Sequence, residues 1–326
     1  MTLPLLSVVI PVFNEEDTLP ELDRRLRVLL ADLPQIGDAW EVVFVDDGSR
    51  DESRNILTRL AEQERRYRVV GFSRNFGHQF AITAGVDRAE GNSVVVMDAD
   101  LQDPPSVVAD MLRRQADGFD VVYGVRRKRM GENWFKRATA ALFYRVIHSI
   151  TGVNIPVDAG DFRLMSRPVV LTLRALRERH RFVRGMVAWI GFKQTAVYYD
   201  REPRFAGTTK YPLRKMIHFA IDGITSFSVL PLRIATWLGL FAAFCAVGVG
   251  TWAIAVKILG LGTVPGWTTI MFAVALGSSA QLLMTGILGE YVGRIYEEIK
   301  RRPLYVVDKE INPLPKSSES DISKTS

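Results

Sequence analysis

Through the first 125 residues, short unbroken apolar runs alternate with stretches in which apolar residues return at every third or fourth position. The runs at 6–11, 41–46, 68–72, 94–98 and 120–123 read as strands, and 18–31, 52–64, 79–89 and 106–116 read as amphipathic helices. Strands without polar alternation are buried on both faces, as in parallel sheets covered by helices. Their spacing suits right-handed strand–helix–strand crossovers. The expected fold is α/β, a mostly parallel, doubly wound, Rossmann-like sheet.

The pattern changes near residue 234. Segments 234–256 and 267–289 contain no charged side chain, and each exceeds the ~20 residues that cross ~30 Å of hydrocarbon as a helix. A transmembrane hairpin is therefore expected. Two further stretches, 134–150 and 211–227, are amphipathic; in the second, Leu213, Met216, Ile217, Ala220, Ile221 and Ile224 share one face. Such helices, with Arg and Lys opposite, suit the lipid headgroup region. Residues 312–326 are rich in Ser, Pro and Lys and are expected to form a disordered tail.

Composition adds sidedness. The 326 residues are 24% charged with a net charge of +6. Arg214, Lys215 and Arg233 precede the first apolar segment and Arg294, Lys300, Arg301 and Arg302 follow the second, while the loop between them offers only Lys257. By the positive-inside bias, both flanks face the cytoplasm. The opening MTLPLLSVVIP has neither a basic region nor a cleavage site and reads as a strand, so export of the large domain is not expected. The single cysteine, Cys245, excludes an intrachain disulfide and a cysteine metal cluster. No nucleic-acid partner is expected. Gly239, Gly248 and Gly250 would permit close helix packing, and a homo-oligomer is one expectation.

Candidate chemistry begins where VVVMDADLQDPP ends an apolar strand on Asp98 and Asp100. Ligands of open α/β sheets bind at the carboxyl ends of the strands. Two hard oxygen donors from one short loop suit Mg²⁺ or Mn²⁺ held on a nucleotide diphosphate. The alternative is that both aspartates cap the helix introduced by Pro104 and Pro105. Two other strand ends are also polar: Pro11, Val12, Phe13, Asn14 and Glu15 close the first strand, and Asp46, Asp47, Gly48 and Ser49 the second. Carboxylates there can accept hydrogen bonds from a base and from ribose hydroxyls, and Phe13 can lie against the base.

PVFNEE, VDDGSRDES, RNFGHQFA, MDADLQDPP and DAGDFRLMSR together resemble family 2 glycosyltransferases of the GT-A fold. The similarity is strongest to the membrane-bound polyprenyl-phosphate branch, which includes dolichol-phosphate mannose synthases and bactoprenol glucosyltransferases. The resemblance implies transfer of a sugar from a nucleotide-sugar to the phosphate of a membrane polyprenol. Carried over by motif, Pro11, Phe13, Glu15, Asp46 and Asp47 would hold the nucleoside, with Asp98 and Ala99 beside it. Asp98, Asp100 and Gln102 would hold the metal and diphosphate. RFAGTTKY resembles the family's R-x-x-G-x-S-K-Y element, which makes Arg204 and Lys210 diphosphate contacts. His78 stands where relatives often have Lys and receives no role.

The chemistry agrees. A phosphate monoester has its second pKa near 6 and is already largely a dianion at neutral pH, so no strong base is required. Transfer then needs alignment, stabilisation of the departing diphosphate and cations that let two anions approach. Arg126, Arg127, Lys128 and Arg129 follow the fifth strand, and Lys136 and Arg137 come soon after. Arg126, Lys136 and Arg137 are the candidates for the acceptor phosphate, and contact with lipid headgroups is the competing use of this basic stretch. Asp158 and Asp161 either bind sugar, position Arg163 or form a structural ion pair; Asp158 is carried as a catalytic candidate. His148, His180 and His218 lack metal-ligand spacing.

The expected organisation is a cytoplasmic catalytic domain over 1–209, a juxtamembrane helix over 210–233, the hairpin over 234–289 and a cytoplasmic terminal segment over 290–326. The expected donor is UDP-glucose, with GDP-mannose as the alternative. A processive polysaccharide synthase fits less well, because no Q-x-x-R-W element occurs and two spans are too few for a secretion channel. A nonenzymatic membrane scaffold is a third possibility.

Overall fold

A computed structural model of the chain describes residues 4–127, 159–200, 230–259 and 266–313. These residues belong to two compact units, one holding the sheet and residues 303–313, the other the long apolar helices.

The sheet has eight strands: β1 (Leu6–Val12), β2 (Trp40–Asp46), β3 (Tyr67–Phe72), β4 (Ser93–Val96), β5 (Val121–Arg126), β6 (Ala159–Ser166), β7 (Gln194–Tyr199) and β8 (Val307–Ile311). Their order is β7-β5-β6-β4-β1-β2-β3-β8. β1 pairs in parallel with β2 and β4, and β2 with β3. β6 is antiparallel to both β4 and β5, so it lies between two strands that the sequence pattern makes neighbours. β8, from beyond the hairpin, runs antiparallel along β3.

Every residue of β1, β2 and β3 is buried, as their unbroken apolar runs predict. The packing helices are α1 (Leu19–Ala31), α2 (Ser53–Gln63), α3 (His78–Arg88), α4 (Val107–Ala116), α5 (Arg167–Ala175) and α6 (Val183–Ile190). In α1, proline occupies the first turn, where its missing N–H costs nothing, and Leu19, Leu22, Leu26, Leu29 and Leu30 form the buried stripe. Each such side chain contributes about 1.5–3 kcal/mol of burial. α3 approaches the sheet closely because Gly85 has no side chain: a Cβ there would sit 2.2 Å from Val9 Cγ1.

The amino-terminal edge is fastened by a buried polar lock. Glu41 pairs with Arg68 at 2.7 Å, accepts from Ser7 Oγ at 2.6 Å and takes the Glu90 amide at 2.6 Å. Ser7 Oγ in turn accepts from Gly91 N at 2.7 Å. Such a pair tolerates burial because further hydrogen bonds satisfy the carboxylate and Arg68 Nη1, which also donates to Arg88 O at 2.7 Å, while Arg68 Nε is left without a partner.

The second unit contains α7 (Leu230–Ile258) and α8 (Trp267–Ile299). Leu232–Val256 and Phe272–Ile299, of 25 and 28 residues, are long and apolar enough to cross a membrane. They expose Trp237, Phe244, Trp252, Phe272 and Leu282, an arrangement that suits a hydrocarbon environment. Gly239 faces Met284, whereas the space beside Gly248 and Gly250 is open. The expected amphipathic helices at 134–150 and 211–227 lie outside the described residues. Asn312, at the start of the expected tail, is held: its Nδ2 donates to Ala61 O at 2.7 Å and Tyr67 O at 2.9 Å.

Candidate active site

β4 ends at Val96, two residues before the carboxylate pair, although Met97 N still donates to Val9 O at 3.1 Å. Asp98 thus enters a turn at the carboxyl edge of the sheet. Asp100 Oδ1 accepts Gln102 N at 3.1 Å, and Leu101 takes a left-handed φ of 59°. Neither aspartate caps α4, whose N-cap is Ser106 with no side-chain cap bond. The capping alternative therefore fails.

Asp98 is held under electrostatic tension. Its Oδ1 is buried and makes no hydrogen bond; His78 Nε2 lies 3.5 Å away. Burial, reinforced by Asp161, Asp103 and Asp100, raises its pKa to about 6, with His78 opposing the rise. A buried carboxylate oxygen without a donor, beside a second carboxylate, is the chemistry that a hard cation satisfies. Among the described residues, no group of three or more His, Cys, Asp or Glu side chains is placed to hold a metal ion. Asp98 and Asp100 would need diphosphate or water oxygens to complete a coordination shell.

His78 opens α3 and reaches two carboxylates: Asp98, and Asp161 Oδ2 at 3.3 Å. Its protein surroundings oppose charge, but the hydrogen bond to Asp161 and the field of Asp98 outweigh them and raise its pKa. Asp161 is buried on β6 and clasped by Arg184, with Nε to Oδ1 at 2.8 Å and Nη2 to Oδ2 at 3.0 Å. Burial alone would raise this carboxyl, yet Arg184 and His78 hold it well below the usual range. Gln79 joins the same cluster, donating to Asp161 at 3.4 Å and accepting Val183 N at 3.0 Å. Arg163, buried nearby, donates to Gly160 O at 2.9 Å. The clasp on Asp161 is thus made by Arg184, and Arg163 adds its field to the same carboxyl.

At the first two strand ends, Phe13 presents a ring 43% exposed. Asn14, with φ 56°, takes Ser49 Oγ on its N–H at 3.0 Å and the Arg50 amide on Oδ1 at 2.9 Å. Pro11 is buried in β1. Glu15 Oε2 accepts from Thr18 Oγ1 at 2.9 Å. Asp46 is fully buried, with Oδ1 on Ser49 N at 2.9 Å and Oδ2 on Arg54 Nε at 2.7 Å. Asp47 gathers Phe76 N at 2.7 Å and Gly77 N at 3.0 Å; burial raises its pKa, and those amides oppose the rise. Both carboxylates shape the loops around the edge, so their first task is structural. Gly48, at φ 71°, is required here, since a Cβ would lie 2.4 Å from the Arg74 backbone.

Arg126, the last residue of β5, points to the same edge. Its Nη2 lies 3.5 Å from Asp103 Oδ1, and its Nε donates to Tyr199 OH at 3.4 Å. Tyr199 OH also donates to Asp103, which is buried. Ala99 is buried beside the carboxylate pair. Lys136, Arg137, Asp158, Arg204 and Lys210 lie outside the described residues. The sequence assigns no role to His78, Arg54, Gln79, Asp103 or Arg184; His78, Gln79 and Asp103 lie inside the quoted motifs, whereas Arg54 and Arg184 reach Asp46 and Asp161 only through the fold.

The mostly parallel sheet thus carries a carboxylate pair, the Arg126 guanidinium and loop-bound acidic residues at its carboxyl edge. Residues 7–173 match the family model described as glycosyl transferase family 2, and the chain belongs to that family. It is a glycosyltransferase. It is 46% identical to an uncharacterised glycosyltransferase of Bacillus subtilis, YkcC, over 93% of each chain. It is 38% identical to the bactoprenol glucosyl transferase of Shigella phage SfII, over 93% of this chain and 97% of that one. A mannosyltransferase from Pyrobaculum calidifontis, solved with GDP-Man and Mn²⁺, aligns over 91% of this chain and 89% of its own, with a TM-score of 0.44 and 16% identity.

Proposed function

We propose that this glycosyltransferase moves glucose from UDP-glucose to the phosphate of a membrane polyprenol, such as undecaprenyl phosphate, with inversion at the anomeric carbon. The observation that carries this reading is the presence, on one sheet edge, of an Asp98 oxygen that accepts no hydrogen bond and of the Arg126 guanidinium beside Asp103. One side suits a cation-bound diphosphate and the other an incoming phosphate. The bactoprenol glucosyl transferases, 38% identical over most of the chain, support the choice of sugar and lipid. The two long apolar helices support a membrane-embedded acceptor.

In this reaction, an oxygen of the acceptor phosphate attacks the anomeric carbon as the bond from that carbon to the diphosphate breaks, and the nucleoside diphosphate departs with the electron pair. Because the acceptor is already ionised, the protein's task is alignment and charge management. Arg126, with Lys136 and Arg137, binds the phosphate nucleophile. Phe13 offers a face to the base, and Glu15, Asp46 and Asp47 shape the nucleoside loops. Arg204 and Lys210 bind the diphosphate, and Asp158 contacts the sugar or acceptor. Asp161, fixed by Arg184 and His78, keeps a negative charge facing the sugar. Asp98 and Asp100, with Gln102, would hold Mg²⁺ or Mn²⁺, which when bound neutralises charge on the leaving diphosphate.

The catalytic unit and the segment after α8 belong on one face of the membrane, since β8 joins the catalytic sheet and two crossings return the chain to its starting side. The basic flanks support the cytoplasmic face by the positive-inside bias. The test is a panel of radiolabelled UDP-glucose, GDP-mannose and other UDP-sugars, supplied with polyprenyl phosphate to the full chain in detergent. Label in a lipid monophosphate sugar from UDP-glucose is the expected result. Labelled long polymer, or no lipid-borne label from any donor, would overturn the reading.

A further inference from the structure

The chain leaving α8 returns to the sheet within a few residues and makes two lines of contact with the nucleotide end of the site. β8 pairs along β3 from Val69↔Ile311 to Phe72↔Val307, and Ser73 N donates to Val306 O at 3.1 Å. In the first line, Asp308 Oδ2 accepts Arg54 Nη1 at 3.1 Å, while Arg54 Nε donates to Asp46 and Nη2 to Phe72 O, each at 2.7 Å. The fully buried Asp46 therefore has its charge balanced by an arginine whose remaining arm is tied to β8.

The second line is aromatic. Tyr305 stacks on Phe72, with ring centres 5.0 Å apart and an angle of 16°, and Phe72 meets Phe76 edge-on at 5.6 Å. The amides of Phe76 and Gly77 are those held by Asp47, and His78 follows directly. Tyr305 itself is fixed at the other end of α3: its OH donates to Asp87 Oδ2 at 2.7 Å and accepts from Arg88 Nη1 at 2.9 Å.

We propose that residues 305–312 form a positioning strap for the donor end of the site, with Asp308 acting through Arg54 on Asp46 and Tyr305 acting through Phe72 and Phe76 on the Asp47 loop. The inference rests on the reading of Asp46 and Asp47 as the nucleoside end. Neither strap residue touches the reacting atoms. Both set the loops that receive the donor, so their loss falls on donor binding and spares the acceptor.

The test uses the full chain in detergent, with Asp308→Ala, Asp308→Glu, Tyr305→Ala and Tyr305→Phe. UDP affinity, the KM values for UDP-glucose and polyprenyl phosphate, kcat and backbone amide exchange are measured. Asp308→Ala is expected to weaken UDP binding and raise the donor KM about two- to fivefold, the range of a partly exposed ion pair. Tyr305→Ala is expected to do so about three- to tenfold, through loss of the stacked aromatic pair. The acceptor KM and kcat stay within about twofold, and Asp308→Glu and Tyr305→Phe recover most of the loss. Exchange accelerates at Ser49 in Asp308→Ala and at Phe76 and Gly77 in Tyr305→Ala. Unchanged exchange at those amides, or equal rises in donor and acceptor KM, would overturn the strap. Accelerated exchange in the alanine variants of a protein whose wild type binds no UDP would support the strap and remove the donor assignment.

Discussion

Replacing Asp98 by Asn should make the ligand-free protein more stable while abolishing transfer. Its carboxyl is raised from 3.8 to about 6, first by burial and then by three neighbouring carboxylates. Held ionised at pH 7.5, such a group costs the folded state about 3 kcal/mol. The side chain is 32% exposed, and solvent screening reduces this to about 1–2 kcal/mol. The cost is fully present above pH 6, where the folded form must surrender the proton that it retains more tightly than the unfolded chain does. It shrinks as pH falls through 6 and is gone below about 4, where both states are protonated. Melting temperatures of wild type and Asp98→Asn, recorded in detergent with chelator from pH 4 to 8, provide the assay. The variant should melt roughly 2–8 °C higher at pH 7.5 and converge with wild type in acid. A gain independent of pH, or no gain at pH 7.5, would refute the electrostatic argument. Added Mg²⁺ or Mn²⁺ with UDP should stabilise wild type and leave the variant unmoved.

Arg126→Ala should raise the KM for polyprenyl phosphate about 10- to 100-fold, the loss of a charge-assisted contact, with a smaller change for the donor; steady-state kinetics against each substrate separates the two. Gly85→Ala should destabilise the sheet unit by about 1–3 kcal/mol, because the new methyl meets Val9 at 2.2 Å, and denaturant titration reads the loss. Arg184→Ala leaves Asp161 without its bidentate partner; activity should fall and its pH profile should shift upward as Asp161 becomes easier to protonate. Exhaustive chelation should stop transfer, and Mg²⁺ or Mn²⁺ should restore it.

The parallel strands and their crossover helices are legible in the sequence because burial on both faces forces unbroken apolar runs, and these survive without knowledge of the partner strands. β6 is not legible in that way: AGDFRLMS carries Asp161 and Arg163 inside a buried strand, and only the fold supplies their partners. β8, VDKEI, is polar and edge-bound, and it becomes a strand because Val69, Val70, Gly71 and Phe72 offer it a free side. The carboxylate pair, the polar strand ends and Arg126 are visible as motifs. His78 and Arg184 are invisible as site residues because one begins a helix and the other lies within one, far apart in sequence, and they meet only where β4 and β6 bring Asp98 and Asp161 together.

The lock of Glu41, Arg68 and Ser7 lies at the opposite end of the strands from the reacting groups. Durability and chemistry are therefore allotted to different ends of one scaffold. The loops at 13–16, 47–52, 73–79 and 98–103 can be rewritten without loosening the fastening that registers β1, β2 and β3. Substitutions in those loops should therefore change how the proposed donor is held while the registry of β1, β2 and β3 persists.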